Sequence, residues 1–319
     1  MIAPLTFYTF HERIRTSLET QGYDVDMMNE EHPSSTFGKI VAQLMLPLSR
    51  RMTLAALRRH LASTPYYDLV IIIKGRGMSL AAINLLRKHA YRIVAYTWDS
   101  FQYSPSPLQW KSATDRFATF DIVDAEQHGL PLVHLFTGTT SRRQPNVPDY
   151  DLSVVMRVHS ERLAYVDRAL RALKDKRVFV FLYTGSLLTF LPHLLRAPSA
   201  AFRLRRYIFR TPLSYDQAMD AIANSRATLD YAHPLQSGIT VRCFEALSMG
   251  VPVITNNPHV ARAGIFNEGE VANFPLDSDP ARLPDLIAHF GRREVRQTIR
   301  TIDQFIADLL DDSSADSKK

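Results

Sequence analysis

One cysteine, Cys243, stands in 319 residues. It can close no internal disulfide and no Cys-x-x-Cys metal site, so a reducing compartment suits the chain. Glycine and proline, 12 and 18 in number, are too few and too scattered for a collagen-like or low-complexity protein. No apolar run reaches the roughly 18 residues of a membrane-spanning helix. The opening MIAPLTFYTFHERIRT has neither a basic lead nor a small-residue cleavage site, which predicts a cytoplasmic protein without a secretory leader. Also missing are G-x-x-x-x-G-K-[ST], H-E-x-x-H and G-x-S-x-G, the spacings of a phosphate loop, a zinc-protease helix and a nucleophile elbow. Asp-x-Asp occurs at Asp24 and Asp26, Asp149 and Asp151, and Asp277 and Asp279. With 22 aspartates such spacings arise by chance, and no metal is assigned to them.

Lysine is scarce as well, 8 against 30 arginines, within a net charge of +6. Guanidinium forks suit phosphate and carboxylate ligands. The balance fits an anionic small molecule, an anionic membrane face or nucleic acid. No nucleic-acid reading module accompanies clusters such as Arg203, Arg205 and Arg206, and nucleic acid is not an expected partner.

What the chain has throughout is an alternation of short apolar runs with amphipathic segments, the pattern of a parallel sheet with crossover helices. In the first half the expected strands are APLTFYTF, DVDMM, YDLVIIIK, RIVAYTW, FDIVDA and LVHLF. The expected helices are HERIRTSLETQGY, KIVAQLMLPLSRRMTLAALRRHLAS and SLAAINLLRKHA. Residues 137–150, TGTTSRRQPNVPDY, are polar and aperiodic and form the candidate linker. A second series follows, with strands DLSVVMRV, RVFVFLY, RLRRYIFR, ATLDYA and PVITNN. Its helices are RLAYVDRALRALKD, YDQAMDAIANS, TVRCFEALSMG, ARLPDLIAHF and EVRQTIRTIDQFIADLL. The expectation is an α/β protein of two Rossmann-like domains, 1–140 and 151–310, with a frayed tail at 311–319, their parallel sheets facing an interdomain cleft where ligands bind beyond the strand ends.

Several residues sit where chemistry would be expected. Gly238 and Thr240 precede a helix bearing Arg242 and Glu245 and ending at Gly250. A loop entering a helix N-terminus can hold a diphosphate, and a carboxylate one turn further in can accept from a ribose diol; an ordinary capped helix has the same residues. Arg242 either pairs with a phosphate or makes a salt bridge along its helix. In the first half, Thr9, Phe10, His11 and Glu12 follow the first strand, and His11 or Glu12 can either reach an acceptor hydroxyl or cap a helix. Lys74 and Arg76 follow DLVIII and are candidate anion contacts. Asp99, after RIVAYTW, is a candidate general base, or a turn residue of the ordinary kind. Tyr96 and Trp98 can stack on a sugar face or simply fill the core.

The run FEALSMGVPVITNN resembles the signature of GT-B glycosyltransferases. The longer HPLQSGITVRCFEAL, from His233, is similar to a bacterial lipopolysaccharide and capsular polysaccharide glycosyltransferase group. FHERIRTSLETQGYDVD, IIIKGRGMS, AYTWDSFQYSP, FDIVDAEQHGLPLVHLF and RTPLSYDQAMDAIANS resemble further landmarks of that group, in order. The resemblance implies a GT-B fold and transfer of a sugar from a nucleotide-diphosphate donor to a glycan or lipid-linked glycan acceptor in cell-surface polysaccharide synthesis, without a metal or other cofactor. It implies Glu245 on the ribose, with Gln236, Ser237, Gly238, Ile239 and Thr240 along the diphosphate and sugar. Peripheral contact with the inner membrane would come through basic and aromatic loops of the first domain.

Two departures stand out. Ser237 occupies the position, eight before Glu245, where retaining relatives carry a second glutamate, and this favours inversion with Asp99 as base. Met156 and Arg157 replace a small glycine turn; the bulk narrows the site, while Arg157 either meets the diphosphate or faces solvent. His159 and Arg162 match the group's pattern. Epimerase or hydrolase chemistry on a nucleotide sugar, or a non-catalytic nucleotide-sugar-binding homologue, are the alternatives.

Overall fold

A computed structural model describes residues 1–5, 10–34, 45–63, 66–138, 147–185, 187–290 and 300–311. Thr9, residues 39–44 of an expected helix, residues 139–146 of the candidate linker, residues 294–299 of the last expected helix and the tail from 312 lie outside them. The chain divides into two compact units. One comprises 1–138, 235–238 and 301–319, the other 139–234 and 239–300.

The first unit is a parallel five-stranded sheet ordered β2-β1-β3-β4-β5: β1 (Ile2–Ala3), β2 (Met28–Asn29), β3 (Tyr67–Ile73), β4 (Ala90–Thr97) and β5 (Arg116–Thr119). Its central strands are apolar on both faces because helices cover both. Ile72 and Ile83 fall in one cluster with Leu57 and Trp110, Ile73 and Val94 in another with Ile14 and Phe136. The covering helices are α1 (Phe10–Thr20), α2 (Leu46–Leu61), α3 (Leu80–Leu86) and α4 (Ile122–His128). Pro47, at the start of α2, suits a first turn whose N–H groups lack helical partners. The Ser79 side chain accepts from the Ala82 N–H at the start of α3.

The second unit is a parallel six-stranded sheet ordered β11-β10-β9-β6-β7-β8. Its strands are β6 (Leu152–Arg157), β7 (Val178–Tyr183), β8 (Ile208–Phe209), β9 (Thr228–Asp230), β10 (Val253–Thr255) and β11 (Val271–Asn273). Its helices are α5 (Arg162–Ala172), α6 (Leu187–Arg196), α7 (Pro198–Leu204), α8 (Tyr215–Ala223), α9 (Val241–Ser248) and α10 (Leu283–Phe290). A capping box between Ser214 and Gln217 opens α8. The expected α/β class with parallel sheets is what the two units show.

Four local expectations are corrected. FDIVDA is not a strand: Asp121 accepts from the Asp124 N–H and starts α4 there. LVHLF contributes one bridge, Thr119 to Leu132, rather than a strand, and of the described residues of APLTFYTF only Ala3 lies in β1, while Phe10 opens α1. RLRRYIFR begins inside α7, and only Ile208–Phe209 pairs with β7.

The helix α11 (Ile302–Leu310) belongs to the first unit, against α1 and β4. Phe305 is fully buried, with its ring 5.1 Å from Tyr96 and 4.9 Å from Phe136. The last carbonyls of a helix have no helical donors. Here buried Arg116 donates to Leu309 and Asp308 carbonyls at 2.8 and 2.9 Å, and Arg92 donates to Leu310 at 2.8 Å. Phe305→Ala should therefore destabilise the protein by about 3–5 kcal/mol, read as a lowered urea midpoint; a loss within 1 kcal/mol would mean α11 carries little of the fold.

Candidate functional site

In the first unit, Lys74 follows β3 with φ 70°, a left-handed conformation uncommon for a side-chain-bearing residue, and Gly75 continues it at φ 64°. A Cβ on Gly75 would lie 2.6 Å from the Trp110 ring, so glycine is required there twice over. The Lys74 ammonium sits 3.3 Å from the Asp99 carboxylate, and Gln236 donates to the other carboxylate oxygen at 3.1 Å. Thr97 fixes the turn after β4 by donating its hydroxyl to the Asp99 carbonyl at 2.6 Å. Arg76 is anchored by its backbone N–H, which donates to Glu30 at 2.7 Å, while its guanidinium lies 3.6 Å from Glu31.

Glu30 is a buried acid that the sequence did not announce. Burial is the chief cause that raises its pKa to about 8, against the opposing pull of Lys74 and with Glu31 and Asp99 adding to the rise. Burial alone would lower the Lys74 ammonium, but Asp99 and Glu30 outweigh it and the net shift is upward. Lys74, Arg76, Asp99 and Gln236 are thus gathered in one charged cluster. His11 and Glu12 are not in it: they occupy the first turn of α1, and among the described residues no hydrogen bond or ion pair ties either to Asp99 or Lys74. Tyr96 is core, its hydroxyl donating to the Val133 carbonyl at 2.9 Å, so it presents no face to a sugar.

The loop before α9 is held by Asp121, a carboxylate 1% exposed. It accepts from the Ser237 N–H and hydroxyl at 2.6 Å each and from the Gly238 N–H at 3.3 Å; the Ser237 hydroxyl also accepts from the Val123 N–H at 2.9 Å. A Cβ on Gly238 would stand 2.3 Å from the Phe120 ring. The glycine is there to let backbone meet an aromatic face.

In the second unit Ile239 is core, and Thr240, at the N-cap of α9, donates its hydroxyl to Asp230 at 2.7 Å. Asp230, at the end of β9, also accepts from Thr255 at 2.8 Å. Burial, with Asp230 nearby, pushes the Cys243 thiol well up, so this cysteine is inert. Arg242 and Glu245 form an ion pair at 2.9 Å, the arginine 22% and the glutamate 3% exposed. Met156 packs in the second unit's core, whereas Arg157 is exposed at the end of β6.

Beyond β6 the chain gathers arginines and histidines. Arg162 donates to the Arg157 carbonyl at 2.9 Å and to the Tyr231 carbonyl at 3.2 Å, and lies over the Tyr231 ring at 5.2 Å. His159 shares a hydrogen bond with the Ser160 hydroxyl at 2.9 Å and stacks on His233 with ring centroids 6.5 Å apart. Burial first, then Arg162, His233, Arg157 and His193, pull the His159 pKa down to about 3. His193, on α6, comes to this group by the fold alone; nothing in its sequence context signalled it. Among the described residues no three metal-ligating side chains are gathered.

Residues 162–304 match the family model described as glycosyl transferase-like. No curated protein matches the chain. Among solved structures, sucrose-phosphate synthase from Thermosynechococcus elongatus is similar with a TM-score of 0.59 at 11% identity, over 94% of this chain and 88% of that one. AviGT4, a glycosyltransferase involved in avilamycin A biosynthesis, gives 0.51 at 13% identity, over 93% and 81%. UDP-GlcNAc 2-epimerase from Methanocaldococcus jannaschii, in complex with UDP-GlcNAc and UDP, gives 0.56 at 10% identity, over 95% and 96%. The two parallel-sheet α/β units are those of GT-B glycosyltransferase structures.

Two outcomes follow from this geometry. Native Glu30 keeps its proton up to about pH 8 while the unfolded carboxyl loses it near 4.5, so the native state binds more protons in that window and stability falls as pH rises through it. Glu30→Gln should flatten that decline; urea midpoints across the window that fall equally in both proteins would refute it. Gly238→Ala should cost about 1–3 kcal/mol through its clash with Phe120, and Phe120→Leu should recover part of the loss in the same measurement.

Proposed function

We propose that the chain is a glycosyltransferase whose second unit binds a nucleotide-diphosphate sugar. The observation that carries this reading is the pair of arginines Arg157 and Arg162 beyond β6, grouped with His159, His193 and His233 in or beside the stretch that matches the glycosyl transferase-like family. Burial first, and then the arginine charges, leave His159 neutral, so the site presents arginine forks and imidazole nitrogens to a diphosphate. Glu245, held by Arg242, is the residue for the ribose, and Gly238 and Thr240 stand at the entrance to its helix. Of the loop residues, Ser237 and Ile239 serve by shaping that entrance, their own atoms being engaged by Asp121 and the core.

In the proposed reaction an acceptor hydroxyl oxygen attacks the anomeric carbon and the bond to the diphosphate oxygen breaks. The hydroxyl proton passes to the Asp99 carboxylate, and the departing charge is met by the arginines of the second unit. Lys74 and Gln236 orient Asp99 for this. No bound metal is needed in that scheme. We place the acceptor among cell-surface glycans or their lipid-linked precursors, with the reaction in the cytoplasm and inversion at the anomeric carbon, since Ser237 stands where a retaining pair would need a second glutamate. Nucleotide-sugar epimerisation on the same fold is the second reading, motivated by the likeness to UDP-GlcNAc 2-epimerase.

A thermal-shift series over nucleoside diphosphates and their sugars tests the donor site. A ligand at about a hundred times its Kd adds about 2.7 kcal/mol of stability, and Arg162→Ala and Glu245→Ala should each abolish most of that gain. Absence of any shift in the wild type, or its persistence in both variants, would sink the site. Donor turnover that is indifferent to added glycan acceptors would favour the epimerase, and a retained anomeric configuration by NMR would remove inversion.

A further inference from the structure

Between Val178 and Tyr215 the chain has no acidic residue and five arginines, Arg196, Arg203, Arg205, Arg206 and Arg210. This stretch forms α6, α7 and the edge strand β8. Its inward side is settled: Ala200, Ala201 and Leu204 are buried in the second unit's core, with Phe190 packed against it. Its outward side is apolar where water would be expected to demand polarity. Leu195 is 73% and Phe202 66% exposed, with Leu191, Leu194 and Phe209 also exposed. Arg203 makes a bidentate pair with Asp167 at 2.7 and 2.8 Å. The other four arginines are exposed, and the Arg205 guanidinium lies over the Phe202 ring at 4.1 Å and donates to the Phe202 carbonyl at 2.8 Å.

We infer that this face docks peripherally on an anionic bilayer. Exposed leucine and phenylalanine side chains on the consecutive helices α6 and α7 mark an interaction surface. Rings and leucines at the headgroup boundary, with arginines beside them, are the composition of an interfacial segment, and each arginine adds attraction to anionic lipid. A second copy of the chain fits less well, because a two-fold contact would set four arginines against their own images. The inference places membrane contact in the second unit rather than in the loops of the first, and it stands independently of the transferase reading.

The full chain should co-sediment with vesicles in which about a third of the lipid is phosphatidylglycerol, and not with pure phosphatidylcholine vesicles, the binding weakening as salt rises. Leu195→Asp with Phe202→Asp, and separately Arg205→Glu with Arg206→Glu, should each weaken binding at least about tenfold at unchanged urea midpoint. Arg15→Glu, an exposed reversal on α1, should leave it unchanged. Failure of the wild type to bind anionic vesicles, equal binding to both vesicle types, or equal binding by the paired variants would overturn the inference. So would a dimer seen by light scattering that Leu195→Asp dissolves, without vesicle binding.

Discussion

A single buried carboxylate, Asp121, organises the segment on which the functional reading turns. Four donors converge on it: the Ser237 N–H and hydroxyl, the Gly238 N–H and the Asp124 N–H. A carboxylate removed from water is expensive unless its lone pairs are filled. Filling them here fixes both the start of α4 and the backbone at Ser237 and Gly238. The N–H and hydroxyl of Ser237 are both engaged in this anchoring.

Charge is used differently in the two units. The first sets acids and bases against one another: Lys74 is surrounded by Asp99, Glu30 and Glu31, and the net effect holds its proton more firmly. The second concentrates positive groups around His159. Paired opposite charges give a defined arrangement of side chains, whereas arginines set beside a buried imidazole lower its affinity for a proton.

Much of the fold was legible in the chain. YDLVIIIK reads as a doubly covered parallel strand because its apolar run is too short for a helix and too continuous for a one-sided sheet. The helix of FEALSMG, closed by Gly250 at φ 73°, was equally plain. FDIVDA misled because its few apolar residues fit either period, and the deciding feature was the capping role of Asp121. β5 was hidden by Arg116, a charge that is tolerated within a strand only because carbonyls 192 and 193 residues away receive it. The α6–α7 pair escaped notice since its leucines point outward as well as inward. At the site, Lys74, Arg76 and Asp99 were readable from their positions after apolar strands. Glu30, His193 and Asp230 were not, because burial and neighbours across the fold give them their character, and local spacing carries no trace of either.

The docking of α11 has a bearing on how the molecule comes into being. Synthesis proceeds from the amino end, and the pocket that Phe305 fills is lined by Tyr96 and Phe136, made some two hundred residues earlier. Until the ribosome has released the segment through Leu310, the first sheet is left with an open hydrophobic face, and the second unit is completed in the meantime. The earlier-made half is thus the later one to mature, which makes the nascent first sheet the part of this protein that most needs shielding by chaperones.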